Sequence, residues 1–497
     1  MSLSSRLRAA AVIATITVVV AVSGLVALRQ SPAVDPSLDE FYLLTAVDDD
    51  VADAAIEVIE THWRDGYAGI LWDMLRFLRP PIDRPSQGSS VRRSTDPVEA
   101  PGLQPPVPEH PSARVFRRLV GLLESQTGQR HGNDILRWQQ WMWQQPYLPH
   151  PEYAAFKGRW YSQIDPRFRE FFPDGVESLI RLDEVDWGGV VPNGIPPLEA
   201  PEHLSAVEAT YLDDDNIVFG IVVGDEARAY PKRILAWHEM AVDVVGGLDL
   251  TIVYCTLCGT VIPYESVADG RRIQFGTSGL LYRSNKLMFD GATKSLWNTL
   301  EGVPVVGSLV GSGLELTRRS VVTTTWGEWR RRHPDTTVLS LDTGHQRDYS
   351  EGAAYRDYFG TDRLMFQVQA RDDRLANKAE VVVMLLDDPV GGDRHPVALS
   401  VALLARRPVF QAEVAGQSFV VVTSRFGASR IYDSTGRQFD GWTDDGRVSD
   451  DEGKTWLVTE GELVAEDDPT VRLARLPAHR AFWFGWYAQF GRTVLFY

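Results

Sequence analysis

Near Pro192 the hydrophobic rhythm of this 497-residue chain changes, and that change limits its architecture more than any other feature. Upstream, Ile56, Ile59, Trp63, Tyr67, Ile70, Leu71, Met74 and Leu75 recur at spacings of three and four, the period of a helix with one buried face. Pro80-Pro81 ends the pattern, because proline lacks the amide that a helix interior needs. Residues 81–111 then turn to Pro, Ser, Gln and Gly, a loop composition, before helical spacing resumes over 113–143. Trp138, Trp141 and Trp143 fall in this second stretch and read as packing groups between helices. Downstream of Pro192 the pattern becomes short β-branched and aromatic runs at 217–223, 250–254, 381–386 and 419–423, separated by Gly, Asp and Pro. An α+β chain follows: a helical domain or arm at 38–175 and a mixed, β-rich domain at 192–497.

The first thirty residues stand apart. Arg6 and Arg8 precede an apolar run at 9–28, about the ~20 residues a helix needs to cross a bilayer. The arginines before it and Asp35, Asp39 and Glu40 after it favour an N-in anchor with the main body extracytoplasmic. The expected location is therefore the cell membrane, single-pass, with secretion after signal cleavage as the alternative. A formal charge of -17 excludes a nucleic-acid partner, whose phosphates demand a basic face.

Both cysteines of the chain, Cys255 and Cys258, lie in Tyr-Cys-Thr-Leu-Cys-Gly. An exported Cys-x-x-Cys closes too small a loop to stabilise so long a chain, so chemistry is the better reason for the pair. His238, Glu239 and Asp243 precede it, and a short helix expected over 232–244 would carry all three, with the two carboxylates four residues apart on one face.

Three uses of the thiols remain open. In thiol–disulfide exchange, Cys255 and Cys258 would cycle while His238 and Glu239 tune or relay protons, and the partner would be a thiol or electron-donor protein. As a metal site, Cys255, Cys258 and His238 would hold copper or zinc, since Cys-x-x-Cys-Gly has the form of a knuckle. In the third use, a static disulfide serves a structural or interaction module.

Other chemistries fit poorly. A zinc deaminase needs His-x-Glu and a proline before the first Cys, whereas His238 and Glu239 are adjacent and Tyr254 precedes Cys255. The segment 275–285 lacks the Gly-Lys-Ser/Thr of a phosphate loop, and Ser278 lacks the full spacing of a nucleophile elbow. Asp213-Asp214-Asp215 and Asp444-Asp445 read as solvated turns, not as calcium loops.

Together the motifs resemble those of the family known as domain of unknown function 3179, over residues 200–497. The likeness rests on Arg228-Ala229-Tyr230-Pro231, Trp237-His238-Glu239, Asp243, Tyr254-Cys255-x-x-Cys258-Gly259, Ser278-Gly279-Leu280-Leu281-Tyr282, Ser295-Leu296-Trp297, Tyr355-x-x-Tyr358 and Phe482-Trp483-Phe484-Gly485-Trp486. The resemblance implies an exported or envelope-associated prokaryotic protein, and selenoprotein relatives imply redox use of a cysteine position. Thr256 stands where the family pattern has proline, and Val242 where it has asparagine.

Overall fold

The computed structural model describes residues 35–78, 111–388, 392, 394–443 and 446–497. The expected anchor at 1–30 and most of the Pro/Ser-rich loop lie outside them. Among the described residues no helix is long and apolar enough to cross a membrane.

The upstream periodicity becomes seven helices: α1 Leu38–Leu43, α2 Asp49–Thr61, α3 Ala68–Leu78, α4 Pro111–Thr127, α5 Ile135–Gln144, α6 Tyr153–Tyr161 and α7 Phe168–Phe171. Helix α3 is buried from Ala68 to Leu75, and Trp138 and Trp143 of α5 pack into the same core. Inside it Lys157 and Asp73 form an ion pair at 2.9 Å with no exposed surface. Tyr153 and Tyr161 donate to the same carboxylate at 2.7 and 2.9 Å, occupying the lone pairs that a buried charge must satisfy.

This helical unit is not a free arm. Its core continues into an antiparallel sheet ordered Val185–Trp187, Phe275–Tyr282, Asn285–Asp290, Leu296–Asn298 and Val303–Val306. Leu287 and Phe289 face the helices, while Met288 between them joins a second core with Met240, Val253, Tyr264 and Trp297. Alternate side chains of one strand thus fasten two layers.

The second layer is a sheet of Leu198–Glu199, Met240–Val245, Leu248–Cys255 and Thr260–Glu265. Beside it lies a five-stranded sheet in which Ile217–Val223 and Glu226–Pro231 pair. Helix α8, Lys232–His238, leads from one sheet to the other and corrects the expected helix over 232–244. It stops because Glu239 takes a left-handed conformation (φ 56°), and Met240–Val245 continues as a strand whose Val242, Val244 and Val245 suit an extended backbone. Glu239 and Asp243 therefore share no helical face.

Further along, α9 (Trp326–Arg332) covers the five-stranded sheet, and α10 (Arg356–Phe359) is the one helix in the long segment 340–379. The C-terminal third builds further sheets, antiparallel except where Arg394–Ser400 runs parallel to Val494–Phe496, with α11 (Val401–Arg406) packed among them, and α12 (Trp483–Gln489) returns to the cysteine hairpin. Fold class agrees with the α+β expectation, with strands concentrated downstream.

Candidate functional site at the cysteine hairpin

The strands Leu248–Cys255 and Thr260–Glu265 form a hairpin with Cys255 opposite Thr260, so Cys-x-x-Cys-Gly is its turn. Cys258 donates its amide to the Cys255 carbonyl at 3.2 Å, and Gly259 at φ 62° takes the left-handed position that glycine occupies without Cβ strain. Cys255 and Cys258 are free thiols, 1% and 0% exposed. Leu257, Tyr358, Phe482, Phe484 and Ala488 pack around them.

A second hairpin aims its own turn at the sulfurs. Tyr282 pairs with Asn285, which leaves a two-residue loop in which Arg283 (φ 49°) and Ser284 (φ 66°) are both left-handed. Such loops usually carry Asn-Gly, because each non-glycine residue there costs about 1–2 kcal/mol. The Ser284 carbonyl accepts from Cys258 Sγ at 3.1 Å and lies 4.0 Å from Cys255 Sγ. Nearby, Thr256 Oγ1 and Asn285 Oδ1 are buried without a hydrogen-bond partner, a costly state in a packed interior.

Lys286 follows this turn, 4% exposed. Its ammonium donates to the Glu239 carbonyl at 2.8 Å and lies 3.3 Å from Glu239 Oε2. The same Glu239 carbonyl accepts the Tyr254 amide at 2.9 Å, which ties this network to the residue before Cys255. Tyr355 donates to Glu239 Oε1 at 3.4 Å, and Tyr358 donates to the Leu257 carbonyl between the cysteines at 2.7 Å.

These contacts make the two thiols unlike. Interaction with the Cys258 side chain draws the Cys255 thiol below its usual pKa, assisted by the backbone around Lys286 and Cys258 and opposed by burial and Glu239. Burial pushes Cys258 well above its usual value, and the Cys255 charge adds to this. Burial likewise lowers Lys286, against the attraction of Glu239 and Cys255.

Of the residues singled out by sequence, Glu239 joins the cysteines and the other two have separate surroundings. His238 donates Nδ1–H to the Pro196 carbonyl at 2.9 Å and accepts from the Tyr349 hydroxyl at 2.5 Å, with the His345 ring 5.1 Å away. Burial depresses its pKa to about 4, and His345 and Arg347 add to this against the Pro196 hydrogen bond. Asp243 accepts on one oxygen from His203 at 2.9 Å, Arg228 at 2.8 Å and Tyr230 at 2.7 Å, beside a cavity of about 660 Å³. Among the described residues no group of three or more His, Cys, Asp or Glu side chains is placed to hold a metal.

Lys286 was missed by motif reasoning, although a lysine in the otherwise apolar run Leu287-Met288-Phe289 after a tight turn is a visible anomaly. The contact between Ser284 and the sulfurs had no sequence signal, since it depends on two hairpins meeting.

No curated protein and no solved structure matches the chain. One family, described as a protein of unknown function (DUF3179), matches residues 192–493, which contain the cysteine hairpin, Glu239, Lys286 and both tyrosines. The match spans more than half of the sequence, and the chain belongs to the DUF3179 family.

Proposed function

We propose that this protein is an extracytoplasmic, membrane-anchored thiol–disulfide redox protein, with Cys255 as attacking sulfur and Cys258 as resolving sulfur. The observation that carries the reading is the asymmetric pair: two free sulfurs on one turn, Cys258 on the Ser284 carbonyl at 3.1 Å with its pKa pushed up, Cys255 4.0 Å from that carbonyl with its pKa drawn down. The Cys255 thiolate attacks a disulfide of a partner protein, forming a mixed disulfide and releasing one partner thiolate. Cys258 then passes its proton to the partner thiolate released first and attacks Cys255 Sγ, releasing the second partner thiolate. The partner disulfide gains two electrons, and the protein dithiol becomes a disulfide; the reverse sequence oxidises a partner dithiol. The extracytoplasmic location rests on Arg6, Arg8 and the apolar run at 9–28.

Equilibration of the full chain in glutathione buffers, with mass-spectrometric counting of thiols, tests this. A redox protein should show a reduction potential above roughly -300 mV; a much lower value makes the bridge static and sinks the reading. The copper or zinc alternative retains the two thiolates, while His238 is engaged elsewhere. One equivalent of metal that vanishes in Cys255→Ser would favour that alternative instead.

A further inference from the structure

We propose that residues 341–375 form a strap that lifts off the cysteine hairpin as one unit, with Tyr358 as its latch, and that a partner meets Cys255 only in the open form. The proposal rests on the thiol reading above and adds the step that admits a partner to the site.

Burial makes such a step necessary. Cys255 and Cys258 are 1% and 0% exposed, and a thiol that exchanges with another protein must come within bonding distance of a foreign sulfur. One wall of the site has to move, and two of the walls are tied down through the backbone. Phe482 donates its amide to the Cys258 carbonyl at 2.7 Å, and its strand, His479–Phe482, pairs with Glu380–Asp387. The Arg283-Ser284 turn is closed by the pairing of Phe275–Tyr282 with Asn285–Asp290.

The third wall is built differently. It is fixed at both ends, where Ser340 donates its amide to the Glu202 carbonyl at 2.8 Å and the Asn377 carbonyl accepts from the Phe484 amide at 2.9 Å. Among the described residues, no backbone-to-backbone hydrogen bond joins 341–375 to the rest of the chain. Within it Ala354, Tyr358 and Val368 are buried and the rest are exposed or half-buried; Tyr358 and Val368 belong to the apolar cluster around the sulfurs. Ordering each residue costs about 1–2 kcal/mol of backbone entropy, and three buried side chains offset little of it. A segment of this kind opens at a smaller free energy than the sheets beneath it. Tyr355, left-handed at φ 55°, adds strain to the closed form that an open chain releases.

Side chains hold the strap shut. Tyr358 donates to the Leu257 carbonyl at 2.7 Å, between the two cysteines, and Lys378 braces its ring from 3.4 Å. Trp237 donates to the Asp348 carbonyl at 2.7 Å. Gln369 donates to the Trp143 carbonyl at 3.0 Å and accepts from Arg283 at 3.1 Å. Lifting the strap uncovers Leu257, Phe482 and Phe484 beside the sulfurs, an apolar seat for a partner's disulfide-bearing segment.

The experiment follows iodoacetamide labelling of the reduced full chain by intact mass, at urea concentrations below the unfolding transition. Labelling should outpace global unfolding and depend on urea much less steeply, because lifting a strap exposes far less surface than unfolding the chain. Tyr358→Phe deletes the bond to Leu257 and keeps the ring, so the native labelling rate should rise about fivefold with the urea slope unchanged. Gln369→Ala should also raise it, by about threefold or more, because the strap lifts as a unit. Labelling that proceeds only at the global unfolding rate, or an unmoved rate in either variant, overturns the proposal. Should Tyr358→Phe not fold, the native urea slope and Gln369→Ala decide. Fast labelling with no reversible disulfide in glutathione buffers would remove the redox reading and leave the strap standing.

Discussion

At the scale of single residues, the two sulfurs share one turn and differ in their partners. Cys258 meets the Ser284 carbonyl at 3.1 Å and burial pushes its pKa up, while Cys255 lies 4.0 Å from that carbonyl and its pKa is drawn down. Cys258→Ser should therefore accumulate a mixed disulfide with oxidised glutathione, because the attacking thiolate remains and nothing resolves the product. Cys255→Ser should form at least tenfold less adduct, read by intact mass; equal adduct in both variants would remove the assignment of roles. His238 has a different consequence. Its folded pKa of about 4 lies below the ordinary 6.5, so the unfolded chain binds more protons between these values. Its stabilising effect is complete above pH 6.5 and is lost as pH falls toward 4, by at most about 3 kcal/mol. Urea midpoints at pH 7.5 and 5 should converge in His238→Asn relative to the native chain. The motif made His238 and Glu239 look like neighbours in function, because chain adjacency is all a sequence supplies. The left-handed Glu239 backbone gives them separate partners, Pro196 and Tyr349 for one, Lys286 and Tyr355 for the other.

At the scale of elements, the site is held by contacts between turns and one helix start. Gly485 in α12 lies against Cys258: a Cβ there would sit 2.9 Å from both Cβ and Sγ of the cysteine. Gly485→Ala should cost about 1–3 kcal/mol by overpacking and slow closure of the Cys255–Cys258 disulfide, measured by denaturant midpoint and by quenched oxidation kinetics. The Arg283-Ser284 turn predicts the opposite sign. Ser284→Gly removes a left-handed Cβ while keeping the carbonyl that meets the sulfurs, and should be neutral to stabilising by up to about 1 kcal/mol. A clear loss of stability would show that the turn is not strained. Sequence made several of these elements visible: the β-branched run at 217–223 is a strand, and the three-and-four spacing upstream is helical. It failed over 232–244, where a helical start at Lys232 concealed a strand. The β-branched Val242, Val244 and Val245 were the available sign, outweighed by the expectation that one helix carries all three polar groups.

For the whole molecule, the helical unit bears on the cysteines through Arg283. This arginine sits in the turn that meets the sulfurs, yet its guanidinium pairs with Glu184 beside the helical core and donates to the Ala488 carbonyl at 3.1 Å. Helical unit, sulfur-facing turn and α12 therefore meet in one side chain, a junction that composition and periodicity could not reveal because its partners lie 99 and 205 positions away. Arg283→Met leaves the Glu184 carboxylate, 1% exposed, with Arg181 at 3.6 Å as its ion pair. Removing one partner of a buried pair typically costs about 3–5 kcal/mol, and Arg181 should hold the loss near the lower figure. Burial already raises the Glu184 pKa above 4.5, and loss of Arg283 raises it further. A carboxyl whose folded pKa is raised binds its proton more tightly in the folded chain, so the deficit should be smallest below pH 4.5 and grow as pH rises through the folded pKa. Denaturant midpoints of Arg283→Met and native chains between pH 4.5 and 8 check this directly. A deficit that does not vary with pH would mean that Arg283 acts by packing, and the electrostatic link between the helical unit and the cysteine turn would be withdrawn.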